Sequence, residues 1–188
     1  MKVIYLMFCG LSLSGKTFLA NKIVDKYPNM FFPMDSRSIH TYLNQFEVFK
    51  DDNSIKGKSY EMREKMTNAF QKDIINIISE YGHSIMHDSC NRKVEEREST
   101  FKLVKSINPD VKTLLVYVNP EREIIKSRAI EEDKQLIKKG NKAVWEELFN
   151  KQVESFDVPD SSETDFFFES DGNNVDELLG YLGNILSK

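Results

Sequence analysis

The run Gly10-Leu11-Ser12-Leu13-Ser14-Gly15-Lys16-Thr17 constrains this chain more than any other stretch. It fits the spacing G-x-x-x-x-G-K-[ST] and directly follows an apolar segment, Val3 to Cys9, that reads as a strand. After it, Phe18, Leu19, Ile23 and Val24 recur at helical spacing, so a strand hands over to a helix through a glycine-bounded loop. Such a handover surrounds one point with successive backbone N–H groups and a helix N-terminus, which is a site for a di- or triphosphate. The ammonium of Lys16 then reaches the β- and γ-phosphates, and the hydroxyl of Thr17 binds Mg²⁺. All eight residues from Gly10 to Thr17 are expected to contact the nucleotide.

The rest of the chain alternates strand and helix patterns. Strands are expected over Lys2–Cys9, Met30–Met34, Ser84–Asp88, Lys112–Val118 and Thr164–Glu169. Helices are expected over Lys16–Tyr27, Ser36–Phe49, Tyr60–Tyr81, Arg92–Ile107, Pro120–Ala129, Lys142–Phe156 and Asn174–Ser187. Met62, Met66, Phe70, Ile74, Ile77 and Tyr81 form one apolar stripe, and Trp145, Phe149, Val153 and Phe156 form another; both read as core. The alternation predicts an α/β fold: three layers, with a five-stranded, mainly parallel sheet between helices, and a helical lid. No repeat or linker divides the 188 residues, so a single domain over 1–188 is expected.

In such a sheet ligands bind beyond the carboxyl ends of the strands, which makes every polar residue ending a strand a site candidate. Asp35 ends Met30-Phe31-Phe32-Pro33-Met34-Asp35. It reads either as the general base that takes an acceptor's hydroxyl proton or as the N-cap of the helix beginning at Ser36. Arg37 is within reach of a phosphate on the acceptor. Asp88 ends the apolar strand Ser84-Ile85-Met86-His87-Asp88 and is the second candidate Mg²⁺ ligand. Asn91 either hydrogen-bonds across the site to the acceptor or caps the helix after it. His83 and His87 read as structural. Arg122, Lys126 and Arg128 supply positive charge, and Arg128 is the candidate that stabilises the migrating phosphoryl group. The charged stretch Glu131–Asn141 that follows reads as a mobile lid with a hinge at Gly140, spanning approximately 128–142. The candidate catalytic set is thus Lys16, Asp35 and Arg128, with a helix cap the other reading of Asp35 and a solvated mixed-charge helix the other reading of Arg128.

Composition removes several classes. Hydrophobic residues at 40% and charged residues at 30% describe an ordinary folded protein. Residues 1–151 hold 25 Lys/Arg against 21 Asp/Glu, and residues 152–187 hold nine acids and no base, so there is no uniformly basic nucleic-acid coat. Cys9 and Cys90 make no disulfide framework or zinc spacing, which suits a reducing cytoplasm. The N-terminal apolar run is too short to cross a membrane and leads straight into the loop, so neither a span nor a signal peptide is expected. No N-K-x-D guanine motif accompanies the loop.

With these residues in place, the chain resembles the small P-loop kinases grouped around the phage polynucleotide 5′-hydroxyl kinases and the zeta-toxin-like phosphotransferases. The resemblance rests on Gly10 to Thr17, Asp35, Asp88-Ser89-Cys90-Asn91, Arg128 and Phe156-Asp157-Val158-Pro159. It implies ATP and Mg²⁺ as cofactors, Asp35 as base and Arg128 as transition-state arginine. The chain departs from that pattern at four places. Leu11 and Leu13 stand where the group keeps small residues. Arg37 comes one position early after Asp35, Cys90 replaces Thr or Ser, and Glu132 stands at the second lid arginine, with Lys134 the nearest cation. The expected activity is transfer of the ATP γ-phosphate to a hydroxyl, preferably a polynucleotide 5′ end. Two alternatives stay open: a nucleoside, nucleotide or other small-molecule acceptor, and a P-loop nucleotide-binding module without transfer. The hydrophilic stretch Lys50–Lys58 reads as a loop beside the acceptor or a solvated one.

Overall fold

Strand β1, Ile4–Cys9, is buried along its whole length, which only a central parallel strand covered on both faces achieves. In the computed structural model, which describes residues 3–43, 45 and 58–187, it is flanked by β3 (Ser84–Asp88) and β4 (Lys112–Val118). β2 (Phe31–Asp35) and β5 (Phe166–Ser170) complete the sheet in the order β2-β3-β1-β4-β5, every pairing parallel. Pro33, which has no N–H to donate, is accommodated because β2 lies at the edge.

Alternation along the strands separates two cores. Ile4, Leu6, Phe8, Leu114 and Val116 face helices α1 (Lys16–Lys26) and α7 (Val175–Ser187) through Leu19, Ile23, Leu178 and Leu182. Tyr5, Met7, Ile85 and Leu115 face α3 (Lys58–Glu80) and α4 (Val94–Ile107) through Ile75, Phe101 and Val104. The three-layer α/β architecture expected from the alternation is the one formed. Short α2 (Ser36–Leu43) follows β2, and α5 (Arg122–Lys138) and α6 (Trp145–Glu154) form a hairpin at the carboxyl end of the sheet. Among the described residues, no helix is long and apolar enough to cross a membrane.

Three expectations are corrected. The helix expected to end at Ala129 runs on to Lys138 and stops before Gly140, whose φ of 76° suits glycine, so the stretch expected as the lid is helical. Its continuation is fixed by Asp133, whose carboxylate accepts the N–H groups of Val144, Trp145 and Glu146 and so caps α6 from the neighbouring helix. Second, the Met62–Tyr81 stripe is not core. Phe70 is 42% and Tyr81 75% exposed, while Thr67, Ile75 and Ser79 are buried instead. Ile75 sits in the second core with Ile74 and Ile78 packed against it, and the rest of the stripe is turned outward. Third, β5 begins at Phe166 because Asp165 is occupied in side-chain bonds to Thr113 and Lys105. The expected helical residues beyond Leu43, Gln45 apart, and Lys50–Gly57 lie outside the described residues.

His87 is structural, as expected. Its ring is buried between Tyr5, whose hydroxyl lies 2.9 Å from Nδ1, and Gln71, whose Nε2 lies 3.4 Å from Nε2. Burial pushes its pKa from 6.5 down to about 4, against the opposing pull of Asp35. Between those values the unfolded chain binds a proton that the folded one refuses, so stability is complete above about pH 6.5 and falls as the pH drops towards 4. Urea denaturation across that window should lose about 3 kcal/mol through this group. A His87→Gln variant should lose that part of the slope; an unchanged slope would contradict the assignment.

Candidate active site

The loop between β1 and α1 is held by backbone conformations that its glycines permit. Gly10 has φ 147°, and a Cβ there would lie 2.4 Å from the Val118 carbonyl oxygen. Gly15 has φ 111° and stands at the N-cap of α1 without a side-chain cap, and the first turn of α1 contains no acidic residue. The helix therefore presents its N-terminal amides and the positive end of its dipole to the cavity in front of it, which fits an anion. Leu13 has φ 65°, a left-handed state that glycine adopts without strain and leucine at a cost of about 1 kcal/mol. Its side chain and that of Leu11 account for the exchange. Both pack into a cluster with Ile125, Ala129 and Phe149, so the loop is joined to the α5–α6 hairpin.

A cavity of about 510 Å³ opens at this loop. Four residues expected in the site line it together: Lys16, Thr17, Asp35 and Asp88. Ser12, Leu13 and Gly15 contribute the loop's own wall. Lys16 is buried, with Nζ donating to the carbonyls of Gly10 at 3.1 Å and Leu11 at 2.7 Å, so its charge is stored at the base of the loop. Thr17 Oγ1 donates to Asp88 Oδ2 at 2.7 Å, bringing the two candidate metal ligands into contact. Asp35 and Asp88 are register partners at the ends of β2 and β3, which puts two carboxylates on adjacent strands at the cavity.

Asp35 Oδ2 accepts from Ser38 N at 3.2 Å and Ser38 Oγ at 2.9 Å. The capping geometry is thus present, and it orients the carboxylate within the cavity wall. Arg128 does not line the cavity; its Nη1 donates to Leu13 O at 2.9 Å and holds the loop from the α5 side. Asn91 is not in the cavity wall either. Its φ is 43° and its Nδ2 donates to Phe8 O at 2.6 Å, so the amide ties the end of β3 to β1. The side chain of Arg37 lies outside the described residues. A hydroxyl and a carboxylate are the hard oxygen donors that Mg²⁺ takes alongside nucleotide phosphates, so Thr17 and Asp88 fit it. Among the described residues no group of three or more His, Cys, Asp or Glu side chains could form a cage made of protein alone.

Several supporting residues escaped the sequence. Gln152 of α6 holds Ser12 through both amide atoms, and Trp145 and Leu148 from the same helix form an apolar wall of the cavity. The signal existed for Gln152: it sits between Phe149 and Phe156 on an apolar arc, where a polar side chain needs a partner. Arg97 gave no such signal. It is fully buried behind the site, paired bidentately with Glu163 at 2.7 and 2.9 Å, and donates to the carbonyls of Asn91 and Asp157. Asp157 in turn accepts from Val94 N and Lys93, starting α4 two residues later than the pattern implied.

A family described as an AAA domain matches residues 6–159. No curated protein matches the chain by sequence. Among solved structures, a protein of Chloroflexus aurantiacus assigned only provisionally as a kinase superposes with a TM-score of 0.74 at 9% identity, covering 97% of each chain. The APS kinase of Mycobacterium tuberculosis, solved in complex with AMPPNP and APS, superposes at 0.63 and 15% identity, covering 100% of this chain and 99% of that one. The PezAT chromosomal toxin-antitoxin system of Streptococcus pneumoniae gives 0.64 at 14% identity, covering 92% of this chain and 70% of the other. At these identities the likeness is one of fold, and the fold is that of P-loop kinases.

Because Glu163 is 6% exposed and neutralises a fully buried guanidinium, Glu163→Ala should cost about 3–5 kcal/mol of stability in chemical denaturation. A loss below about 1 kcal/mol, the range of an exposed ion pair, would contradict the buried-pair account.

Proposed function

The chain belongs to the AAA-domain family, and on that premise we propose that it is an ATP- and Mg²⁺-dependent kinase that phosphorylates a hydroxyl, with a polynucleotide 5′ end as the preferred acceptor. The observation that carries the reading is the adjacency of two carboxylates with different surroundings. Asp88 bonds to Thr17 on the phosphate side, while Asp35, one strand further out, is turned by Ser38 and faces the same cavity. A pair so arranged divides the work between donor and acceptor.

In this reading the amides of α1's first turn and the Lys16 ammonium bind the triphosphate, Lys16 exchanging its loop carbonyls for phosphate oxygens. Thr17 and Asp88 would hold Mg²⁺, which neutralises charge on the phosphates when bound. The acceptor oxygen attacks the γ-phosphorus in line, its proton passes to an Asp35 oxygen, and the bond to the ADP oxygen breaks. Capping by Ser38 orients the Asp35 carboxylate, so the cap would support a base at this position. Arg128, 2.9 Å from Leu13 O, lies within side-chain reach of charge that develops at the loop.

A second reading keeps the chemistry and changes the acceptor. A cavity of about 510 Å³ with Leu13, Phe18, Trp145 and Leu148 in its walls has the size and apolar character of a small-molecule site, which favours a nucleoside or nucleotide. Incubation with γ-labelled ATP and Mg²⁺ across 5′-hydroxyl oligonucleotides, nucleosides, nucleoside monophosphates and hydroxyl metabolites separates the two. Label on oligonucleotides supports the first reading, and label on small acceptors alone supports the second. With whichever acceptor is labelled, Asp35→Asn should lower transfer at least about 100-fold while ATP affinity changes less than about threefold. Wild-type transfer by that variant would reduce Asp35 to a helix cap.

A further inference from the structure

Ser12 and Leu13 form the tip of the phosphate loop, and side chains of two other helices hold both. The Ser12 N–H donates to Gln152 Oε1 at 2.8 Å, and Gln152 Nε2 donates back to Ser12 Oγ at 2.9 Å. Gln152 is buried and its amide wraps a single residue of the loop. The carbonyl of Leu13 accepts from Arg128 Nη1, so α6 grips one tip residue and α5 the next. Asp133 locks the two helices together by taking the first amides of α6. Between these bonds Leu13 is kept at φ 65°, a conformation that a leucine retains only when its surroundings fix it.

Phosphate loops bind through backbone N–H groups, and their geometry is commonly completed by the anion. Here the Ser12 amide is already committed to a buried side chain from a segment 140 residues away. Side chains of the hairpin therefore hold the tip in place. We propose that Gln152 is a positioning residue that sets the Ser12–Leu13 tip for the triphosphate, making the α5–α6 hairpin part of the nucleotide site. The proposal rests on the kinase reading for the identity of its ligand. It gives the two loop leucines a purpose, since their side chains seal the same contact from the apolar side.

A preformed tip lowers the ordering cost of binding, so its loss appears in nucleotide affinity before it appears in turnover. Gln152→Met keeps the length and apolar packing of the side chain and removes both bonds to Ser12. Gln152→Asn keeps the amide but makes it too short to span the gap. Titration calorimetry of the full chain with ATP and Mg²⁺ should show Kd raised about tenfold in both variants, the effect of losing about one well-made hydrogen bond. KM for ATP should rise in parallel, while kcat at saturating ATP stays within about threefold. Ser12→Ala should weaken binding less, and should add nothing to Gln152→Met, because the two changes remove one interaction. Nucleotide affinity within about twofold of wild type in either folded variant would overturn the proposal, even if the melting temperature fell. Failure of the wild-type chain to bind ATP would overturn the kinase reading itself, and this inference with it.

Discussion

How closely the backbone after β1 approaches its neighbours governs everything else at this site. Gly10 passes so near the end of β4 that a Cβ would collide with the Val118 carbonyl. On the far side of the loop, a Cβ on Gly172 would lie 2.9 Å from the Ser14 carbonyl. Two glycines from opposite ends of the chain thus bracket one loop. With no side chain on either flank, the loop passes between the end of β4 and Gly172, and the start of α1 lines the cavity. Parallel strand order then brings Asp35 and Asp88 to the same edge.

That arrangement turns a general anion site into a specific one. A helix N-terminus alone attracts any small anion at modest strength. Here it is backed by a stored lysine, flanked by a threonine–aspartate contact and faced by a second carboxylate from the edge strand. The two carboxylates stand at the ends of β2 and β3, and one of them, Asp88, bonds to the last residue of the loop. Behind them the buried Arg97–Glu163 pair holds the carbonyls of Asn91 and Asp157 and so fixes the segment that follows Asp88. A buried ion pair adds little net stability, yet removing either partner leaves the other as an uncompensated buried charge.

The parts that follow from local pattern were legible in the sequence. The strand–loop–helix at Gly10 to Thr17, the alternation of elements and the strand-terminal acids Asp35 and Asp88 are all set within windows of a few residues. What could not be read depended on partners distant in the chain. The apolar stripe of α3 was visible, but the buried face is the one carrying Thr67, Ile75 and Ser79, a choice made by packing against strands distant in the chain. The charged run after Ala129 has loop-like composition, and only Asp133 reaching the start of α6 shows why it stays helical. Leu11 and Leu13 looked like departures from a phosphate loop because their packing partners, Ile125, Ala129 and Phe149, lie more than a hundred residues away.

The proposed kinase activity requires the loop of Gly10 to Thr17 to bind a nucleoside triphosphate with Lys16 as its cation. Calorimetric titration of ATP with Mg²⁺ into wild-type protein and into Lys16→Ala tests it directly. Saturable one-to-one binding is expected of the wild type and at least about a tenfold loss of affinity of the variant, the scale of a charge-assisted contact to phosphate. Equal affinity in the two proteins would contradict it.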